Sequence, residues 1–316
     1  MSIALIVHGG AGNIKAERFA QAQQGCKEAA AIGWSVLQQG GSALDAVEAA
    51  VRALETNPNF NAGTGSCLNI AGNIEMDAGI MDGSTLNVGA IAGVELIQHP
   101  ITLARRVMES EHAFLIQEGA QQFAREQGIP ACRFEDLLTE RQYTAWKEGN
   151  TNAAALTYTA KETDKNSNSN GKDSNDTTSK HGTVGAVAID SEGHLAAATS
   201  TGGILNKYPG RVGDSPLIGC GFYADEYAAI SCTGYGEDFI RLMIAHRAAT
   251  AVAHGADAQE AAQKTIEFLS QHAEGTGGLI IVDRNGKVGK AKNSQHLAYA
   301  SITEDNAANE PQAGID

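Results

Sequence analysis

The sequence predicts a mixed α/β protein in which sheets are sandwiched between layers of helices. Strand and helix patterns occur in mixed order, with helices before and after runs of strands, and not in strict βαβ alternation. The chain has 316 residues, of which 42% are hydrophobic and 19% charged, and this is typical of a globular protein with a full core. Its 36 glycines and 6 prolines indicate many tight turns.

The N-terminal part is predicted to begin with a strand and two helices. Residues 3–7 form a short apolar run typical of a buried strand, which the glycines of HGGAG end. A helix is predicted over residues 16–39. Ser42, with Asp45 three residues later, is a typical N-cap for the next helix, which Asn57-Pro58 ends. The apolar stripe of that second helix consists of Leu44, Val47, Val51 and Leu54.

The middle of the chain combines a loop, two strands and a helical region. The Gly/Asn-rich stretch NFNAGTGSCLN is predicted to be a loop, strands follow at about 73–81 and 86–94, and mostly helical patterns cover 101–146. Residues 161–180 contain no aliphatic or aromatic side chain. Such a segment cannot bury enough apolar surface to offset the entropy of ordering it, so we predict a disordered tether.

Directly after this tether the pattern changes to β. Strands are predicted over 184–189 and 195–201, joined by the turn signal DSEG. With two or three loop residues, paired positions in this hairpin sum to about 383 or 384, so Thr183 lies opposite Ser200 or Thr201. The elements predicted beyond it are a strand over 228–232, helices over 237–253 and 256–271, and a hairpin of 279–282 with 288–292 around RNG.

Composition excludes several classes of partner. The net charge of −14 argues against nucleic acid or an anionic membrane as the main partner. Five cysteines without C-x-x-C spacing provide neither a disulfide framework nor a metal site, which indicates a reducing compartment. The N-terminal residues lack the pattern of a signal peptide, and no apolar run is long enough to span a membrane. We therefore expect a cytoplasmic protein with no membrane contact.

The abrupt start of a strand at Thr183 indicates a chemical role. The ordinary explanation is that threonine is a good strand residue. If the tether were cut before Thr183, however, the new N-terminal threonine would carry both a hydroxyl nucleophile and an α-amine base. Such an amine titrates at about 7.7–8.0, so it can accept a proton at neutral pH. Gly182 suits the cut because, without a Cβ, it tolerates the strained backbone that attack requires.

Several glycine-rich motifs, in order along the chain, resemble those of one known family. They are HGGAG, ALDAVEAAVRALE, NFNAGTG, MDAGIMDG, HGTVGAVAID, TSTGG, NKYPGRVGDSPLIG and SCTGYGE. Together they look like the plant-type (type III) asparaginase/isoaspartyl aminopeptidase family of Ntn-hydrolases. The resemblance covers nearly the whole chain apart from the tether and about the last fifteen residues.

The resemblance implies one Ntn-hydrolase domain over residues 1–316 with an αββα four-layer sandwich. It also implies autocleavage between Gly182 and Thr183, which divides the chain into an alpha subunit (1–182, including the tether 161–180) and a beta subunit (183–316). The implied activity is hydrolysis of the side-chain amide of L-asparagine, of β-aspartyl dipeptides, or of both, through a covalent β-aspartyl-threonine intermediate. No cofactor is needed for this catalysis.

The same resemblance assigns roles to individual residues. Thr183 corresponds to the nucleophile and base, and Thr201 to a hydrogen-bonding partner of the nucleophile. Thr233, through its hydroxyl, and Gly234, through its N–H, correspond to an oxyanion hole. Asn61 supports the active site. His8 and His181 have no part in this mechanism, and we interpret both as structural or processing-related.

The stretch GRVGDS also makes sense from its chemistry. A substrate with an α-carboxylate and an α-ammonium needs a cation and an anion a few ångströms apart. Arg211 offers a planar fork for the carboxylate, and Asp214 accepts from the ammonium. In isolation this stretch would be a surface turn with a weak ion pair. The carbonyl of Gly236 is a further ammonium acceptor by resemblance.

Two more expectations come from the resemblance alone. In relatives, a loop of this kind can hold a sodium ion through backbone carbonyls, although an Asn/Gly turn explains the same residues. The matching positions are Leu54, Glu55, Asn57, Phe60, Ala62 and Thr64. The family also implies a dimer of alpha/beta heterodimers, that is, a heterotetramer.

Three alternative functions fit the sequence less well. A glycosylasparaginase is disfavoured because Gly182 stands where those relatives have aspartate. A Gly-rich nucleotide-binding protein lacks support because no G-x-x-x-x-G-K-[ST] motif is present, and no G-x-G-x-x-G links a strand to a helix. An uncleaved, inactive relative is disfavoured by the intact set of predicted site residues. The sequence leaves open whether asparagine or an isoaspartyl dipeptide is the preferred substrate.

Overall fold

The computed structural model describes residues 2–153, 182–305 and 310–316. The predicted tether at 161–180 and His181 lie outside the described residues. The strands are β1 (Ala4–Gly12), β2 (Met76–Asp82), β3 (Val88–Val94), β4 (Phe114–Ile116), β5 (Val184–Ile189), β6 (Leu195–Thr201), β7 (Phe222–Ala224), β8 (Ala228–Gly234), β9 (Gly277–Asp283), β10 (Val288–Lys292), β11 (His296–Thr303) and β12 (Gln312–Ile315).

The helices occupy the stretches between these strands. They are α1 (Phe19–Gln38), α2 (Ala43–Thr56), α3 (Pro100–Met108), α4 (Gln117–Glu126), α5 (Phe134–Leu137), α6 (Glu140–Ala153), α7 (Gly236–Leu242), α8 (Ile244–Ala253) and α9 (Ala258–His272). One turn of 3₁₀ helix (Ala16–Arg18) precedes α1. Ser42 caps α2 as predicted, because its hydroxyl accepts from the N–H of Asp45 at 3.1 Å.

Two sheets face each other in the described part of the chain. The larger sheet has the strand order β12-β11-β1-β5-β6-β2-β3-β4, and the smaller has the order β10-β9-β8-β7. Only the β3–β4 pair is parallel among the pairings of named strands. The strands after the tether, β5 and β6, therefore lie in the centre of the larger sheet, between β1 and β2.

Three buried clusters show how the layers stack. One lies between the larger sheet and α1, α2 and α3, and includes Trp34 and Leu54. A second lies between the smaller sheet and α8 and α9. The third lies between the two sheets, where Ile6 and Val187 of one sheet meet Phe222 and Ile280 of the other. The order helix–sheet–sheet–helix confirms the predicted αββα sandwich.

The hairpin that carries Thr183 has the predicted register. Val184 pairs with Ser200, so paired positions sum to 384 and Thr183 lies opposite Thr201. The second predicted hairpin is also present, since Val288 pairs with Val282 around a turn in which Gly286 has φ +75°.

Other predictions were incomplete. The helix predicted over 237–253 is two helices, because Met243 adopts a left-handed conformation (φ +50°) between α7 and α8. The region 101–146 includes the short strand β4. The strands β7, β11 and β12 were not predicted, and β1 continues through HGGAG to Gly12, so these glycines do not end it.

Candidate active site

The first group of site residues surrounds the bond between Gly182 and Thr183. Thr183 immediately precedes β5 and is 6% exposed, while Thr201 ends β6 and is 3% exposed. The Thr183 hydroxyl donates to Thr201 Oγ1 at 3.3 Å. The Thr201 hydroxyl has one proton, which it donates to the Gly182 carbonyl at 2.8 Å. The three groups therefore form a directed chain that ends on the carbonyl next to Thr183.

Asn61 supplies a second donor to the same carbonyl. Its Nδ2 donates to Gly182 O at 2.9 Å and to Gly203 O at 2.7 Å. Its Oδ1 accepts from the Cys67 N–H at 2.8 Å, which fixes the orientation of the amide. The Gly203 N–H in turn donates to Thr201 Oγ1 at 3.0 Å. Two donors held by backbone contacts thus converge on the Gly182 oxygen.

The end of β1 links this group to Thr233 in the other sheet. A Cβ at Gly10 would lie 3.5 Å from Gly182 Cα and 3.6 Å from Thr183 N. The next residue, Ala11, donates its N–H to Thr233 Oγ1 at 3.2 Å. Thr233 is fully buried at the end of β8, directly before Gly234. Consecutive residues of HGGAG therefore contact the Gly182–Thr183 bond and the predicted oxyanion hole.

Gly234 lies where two backbones approach closely. A Cβ there would be 2.7 Å from Gly277 Cα and 2.7 Å from the Thr276 carbonyl oxygen. Real Cβ atoms do not approach so closely, so this position requires glycine.

The second group of site residues is charged. Arg211 forms a two-pronged ion pair with Glu237, with Nε and Nη2 at 2.9 and 2.8 Å from the two carboxylate oxygens. A Cβ at Gly236 would lie 2.9 Å from Asp214 Oδ1 and 3.0 Å from Arg211 Nη2. The structure therefore brings Arg211, Asp214 and Gly236 together, and their role in substrate binding stays a prediction.

Asp214 carries an unsatisfied carboxylate. It is 3% exposed, and its Oδ2 has no hydrogen-bond partner among the described residues. Burial raises the pKa of Asp214 to about 7, with smaller upward contributions from Glu237 and Asp77, and it outweighs the opposing effects of the Asp214 backbone N–H and the Arg211 charge. A buried acceptor without a donor suits a cationic ligand.

Asp77 links the two groups and was missed by the sequence analysis. It is fully buried and pairs with Thr201 in the β2–β6 register. Burial raises its pKa, while the charges of Lys207 and Arg211 oppose the rise. Lys207 is itself 5% exposed and donates to the Glu75 carbonyl at 2.7 Å. Asp77 lies in the motif MDAGIMDG and Lys207 in NKYPG, but the motif matches alone assign no role to either residue.

His8 lies in a buried chain of hydroxyl groups. Its Nε2 is 2.8 Å from Ser231 Oγ, which is 2.8 Å from Thr199 Oγ1. Burial lowers the pKa of His8 to about 3, so the ring is neutral at pH 7. The interpretation of His8 as structural or processing-related stays a prediction.

The predicted cation loop bends tightly after α2 and delivers Asn61 to the site. The carbonyls of Leu54, Glu55 and Asn57 accept backbone hydrogen bonds within the loop at 3.2, 2.8 and 3.1 Å. The described residues contain no group of three or more His, Cys, Asp or Glu side chains that could hold a metal ion. Over the same residues, no helix has the length and apolar character needed to cross a membrane.

A cavity of about 600 Å³ opens beside Gly182. Its walls come from the end of β1, the start of α1, the loop before Asn61, and α6. Gly10, Gly182 and Asn61 lie on one side of it, and Arg18 and Arg141 also line it. No local sequence pattern indicates this cavity, because its walls are distant from one another in the chain.

Comparison with known proteins identifies the family. A family model described as Asparaginase matches residues 1–310. The chain belongs to this asparaginase family. It is 46% identical to the plant-type L-asparaginase of Pyrococcus abyssi (strain GE5 / Orsay) over 321 aligned residues, covering 99% of this chain and 100% of the relative.

Animal members of the asparaginase family are similar as well. The isoaspartyl peptidase/L-asparaginase of Danio rerio is 42% identical over 94% of this chain and 91% of the relative. That of Homo sapiens is 44% identical over 90% of this chain and 88% of the relative. The family predicted from the glycine-rich motifs is thus confirmed.

Proposed function

We propose that this chain is an autoprocessing amidohydrolase that hydrolyses the side-chain amide of L-asparagine and the isoaspartyl bond of β-aspartyl dipeptides. The names of its relatives support both substrates. The observation that carries the proposal is the arrangement at Gly182, where a threonine hydroxyl follows a carbonyl that already accepts from Thr201 and Asn61. A peptide carbonyl with two convergent side-chain donors is prepared for attack.

The first reaction is cleavage of the chain's own peptide bond. Thr183 Oγ attacks the Gly182 carbonyl carbon while its proton passes to Thr201, whose own proton moves toward the Gly182 oxygen. Thr201 and Asn61 stabilise the negative charge that develops on the Gly182 oxygen. The bond to Thr183 N then breaks as this nitrogen takes up the proton that the Gly182 oxygen releases when the carbonyl re-forms. Water hydrolyses the resulting ester, leaving residues 1–182 with a new carboxylate and Thr183 with a free α-amine.

The second reaction uses the same hydroxyl on an external amide. The Thr183 α-amine takes the proton from Oγ, which attacks the substrate's side-chain carbonyl. Thr233 and Gly234 stabilise the oxyanion, and the amine passes its proton to the leaving nitrogen. Water then hydrolyses the β-aspartyl-threonine ester and releases aspartate.

The charged group selects the aspartyl part of the substrate. Arg211 binds the α-carboxylate, and Asp214 and the Gly236 carbonyl accept from the α-ammonium. The Oδ2 of Asp214 without a partner supports this role. Glu237 occupies the fork of Arg211 in the free protein, so the substrate carboxylate replaces it or shares the guanidinium.

Further parts of the proposal concern the cation, the assembly and the compartment. The carbonyls of the loop 54–64 would hold a monovalent cation such as sodium, which would stiffen the segment that carries Asn61. The family supports a dimer of alpha/beta heterodimers. Five free cysteines, four of them buried, support the reducing environment of the cytoplasm.

Coupled measurements of cleavage and activity test the proposal. Purified protein should separate into two pieces of roughly 19 and 14 kDa, in proportion to 182 and 134 residues of the 32.9 kDa chain. N-terminal sequencing of the smaller piece should give Thr-Val-Gly. Release of ammonia from asparagine should rise in step with the cleaved fraction. Full activity of the intact chain would contradict the mechanism.

A further inference from the structure

The cavity beside Gly182 contains two guanidinium groups whose donors are mostly unused. Arg18 Nη2 donates to the Asn59 carbonyl at 2.5 Å, and Arg141 Nη2 donates to the Pro58 carbonyl at 3.1 Å. Each guanidinium has five N–H donors. Among residues 2–153, 182–305 and 310–316, no carboxylate lies within 4.0 Å of either group.

The cavity is lined by the carboxylates of Glu17, Glu140 and Glu148 as well as by basic side chains, but the place of Arg141 beside Arg18 favours an anion at that end. The Arg141 side chain is exposed to the cavity and is partly desolvated by the residues around it. This partial desolvation, together with the charge of Arg18, lowers the pKa of Arg141 to about 10. Two cations that repel each other beside an open cavity are stabilised when an anion binds between them. Cys67, whose N–H orients Asn61, lines the same cavity, so the pair lies close to the reacting groups.

The chemistry of the proposed reaction places the leaving group in this cavity. The Thr183 α-amine protonates the departing nitrogen, so that nitrogen must lie beside Thr183 N. In the uncleaved chain Gly182 occupies that place, and Gly182 lines the cavity. After cleavage, the space beside the Thr183 α-amine is bounded by the same cavity residues. A volume of about 600 Å³ is ample for one amino acid.

We propose that Arg141 and Arg18 bind the C-terminal carboxylate of the leaving amino acid in β-aspartyl dipeptides. This inference rests on the proposed hydrolase function and makes Arg141 and Arg18 determinants of its dipeptide specificity. Planar guanidinium groups suit carboxylates because they offer paired parallel donors. The leaving group of asparagine is ammonia, which has no carboxylate. Neither arginine therefore contributes to asparagine turnover. Isoaspartyl substrates with a free C-terminus are thereby selected over those blocked as amides.

The test compares three substrates on cleaved protein: β-aspartyl-leucine, its C-terminal carboxamide, and L-asparagine. Wild type should favour the free acid over the carboxamide. Arg141→Met keeps an unbranched side chain without charge, and it should lower kcat/KM for the free acid about ten- to a hundredfold. The values for the carboxamide and for asparagine should stay within about twofold. Arg18→Met should act in the same direction.

A matched control separates the local effect from the loss of one charge. Arg125 is exposed on α4 and does not line the cavity, so Arg125→Met should leave all three values unchanged. Equal losses on all three substrates in Arg141→Met would show a structural role and overturn the proposal. No change on the free acid in either cavity variant would also overturn it. Absence of turnover of all three substrates in wild type would instead refute the proposed hydrolase function.

Discussion

The two groups of the candidate site differ in how completely their polar atoms are satisfied. Around Gly182 and Thr183, neutral hydroxyl, amide and carbonyl groups form a closed set of hydrogen bonds of 2.7–3.3 Å. Around Arg211 and Asp214, the groups are charged, Arg211 is paired with a half-exposed carboxylate, and one oxygen of Asp214 has no described partner.

This difference follows from where each group finds its ligand. The first group already holds its reactant, because the Gly182 carbonyl belongs to the chain and folding brings it to Thr183. The second group binds an external ligand. Without that ligand, the buried carboxylate of Asp214 lacks a partner for one oxygen, which costs free energy. The neutral group should therefore control both cleavage and hydrolysis, whereas the charged group should control hydrolysis alone.

The largest effect is expected from removing the nucleophile. Thr183→Ala should abolish cleavage and lower the kcat for asparagine by at least about 10⁴-fold, since no other described residue supplies this hydroxyl and amine. Mass spectrometry of the intact chain and an ammonia assay measure the two effects. Thr183→Ser, which keeps the hydroxyl, is the control and should still cleave. Cleavage at 182/183 in the alanine variant would refute the role of Thr183.

A change at Arg211 should separate the two reactions. Arg211→Leu should lower kcat/KM for asparagine about 10²- to 10³-fold, because the substrate carboxylate loses a charged, two-pronged partner. The half-time of cleavage should stay within about twofold of wild type, since Arg211 makes no hydrogen bond to Gly182, Thr183 or Thr201. If cleavage slowed as much as hydrolysis, the two groups would not be functionally distinct.

The unsatisfied Asp214 predicts how binding depends on pH. Its pKa is raised to about 7 by burial, so below that pH the free protein carries a neutral Asp214 that cannot attract an ammonium. The dissociation constant of L-aspartate should therefore rise about tenfold per pH unit as pH falls below about 7, and should level off above it. Calorimetric titration between pH 5 and 8 measures this.

The control for this dependence is Asp214→Asn. It should bind aspartate weakly throughout, and any slope that remains belongs to other groups such as the Thr183 amine. An unchanged slope in this variant would contradict the assignment to Asp214.

The smallest effect is expected at Glu237. Glu237→Gln weakens the competitor for the Arg211 fork, so the KM for asparagine should fall about two- to fivefold with kcat unchanged. Steady-state kinetics measure this split. A rise in KM would instead mean that Glu237 holds Arg211 in its binding orientation.

Local sequence patterns predicted those site residues that lie near one another along the chain. The register of β5 and β6 depends on one turn, so counting residues was enough to place Thr183 opposite Thr201. Arg211 and Asp214 lie three residues apart, and their pairing followed from substrate chemistry. The mixed order of strand and helix patterns predicted sheets between helix layers, and the family resemblance specified the αββα order.

Features that depend on distant contacts could not be predicted in this way. Asp77 gains its importance from pairing with Thr201 across β2 and β6, and Arg141 from facing Arg18 across a cavity. Met243 interrupts a helix with left-handed backbone that methionine rarely adopts, so the propensity of the sequence was misleading there. Strand β11 pairs with β1, from the other end of the chain, and the edge strand β12 pairs with β11.

The cleavage rate of Thr201→Val tests the central claim most directly, because this change removes one of two donors to the Gly182 carbonyl and the partner of the Thr183 hydroxyl. Intact-mass spectrometry should measure the cleavage rate of this variant in parallel with those of wild type and Arg211→Leu. We predict that Thr201→Val cleaves about 10²-fold more slowly or worse, while Arg211→Leu cleaves at the wild-type rate. Cleavage of Thr201→Val at the wild-type rate would contradict the account.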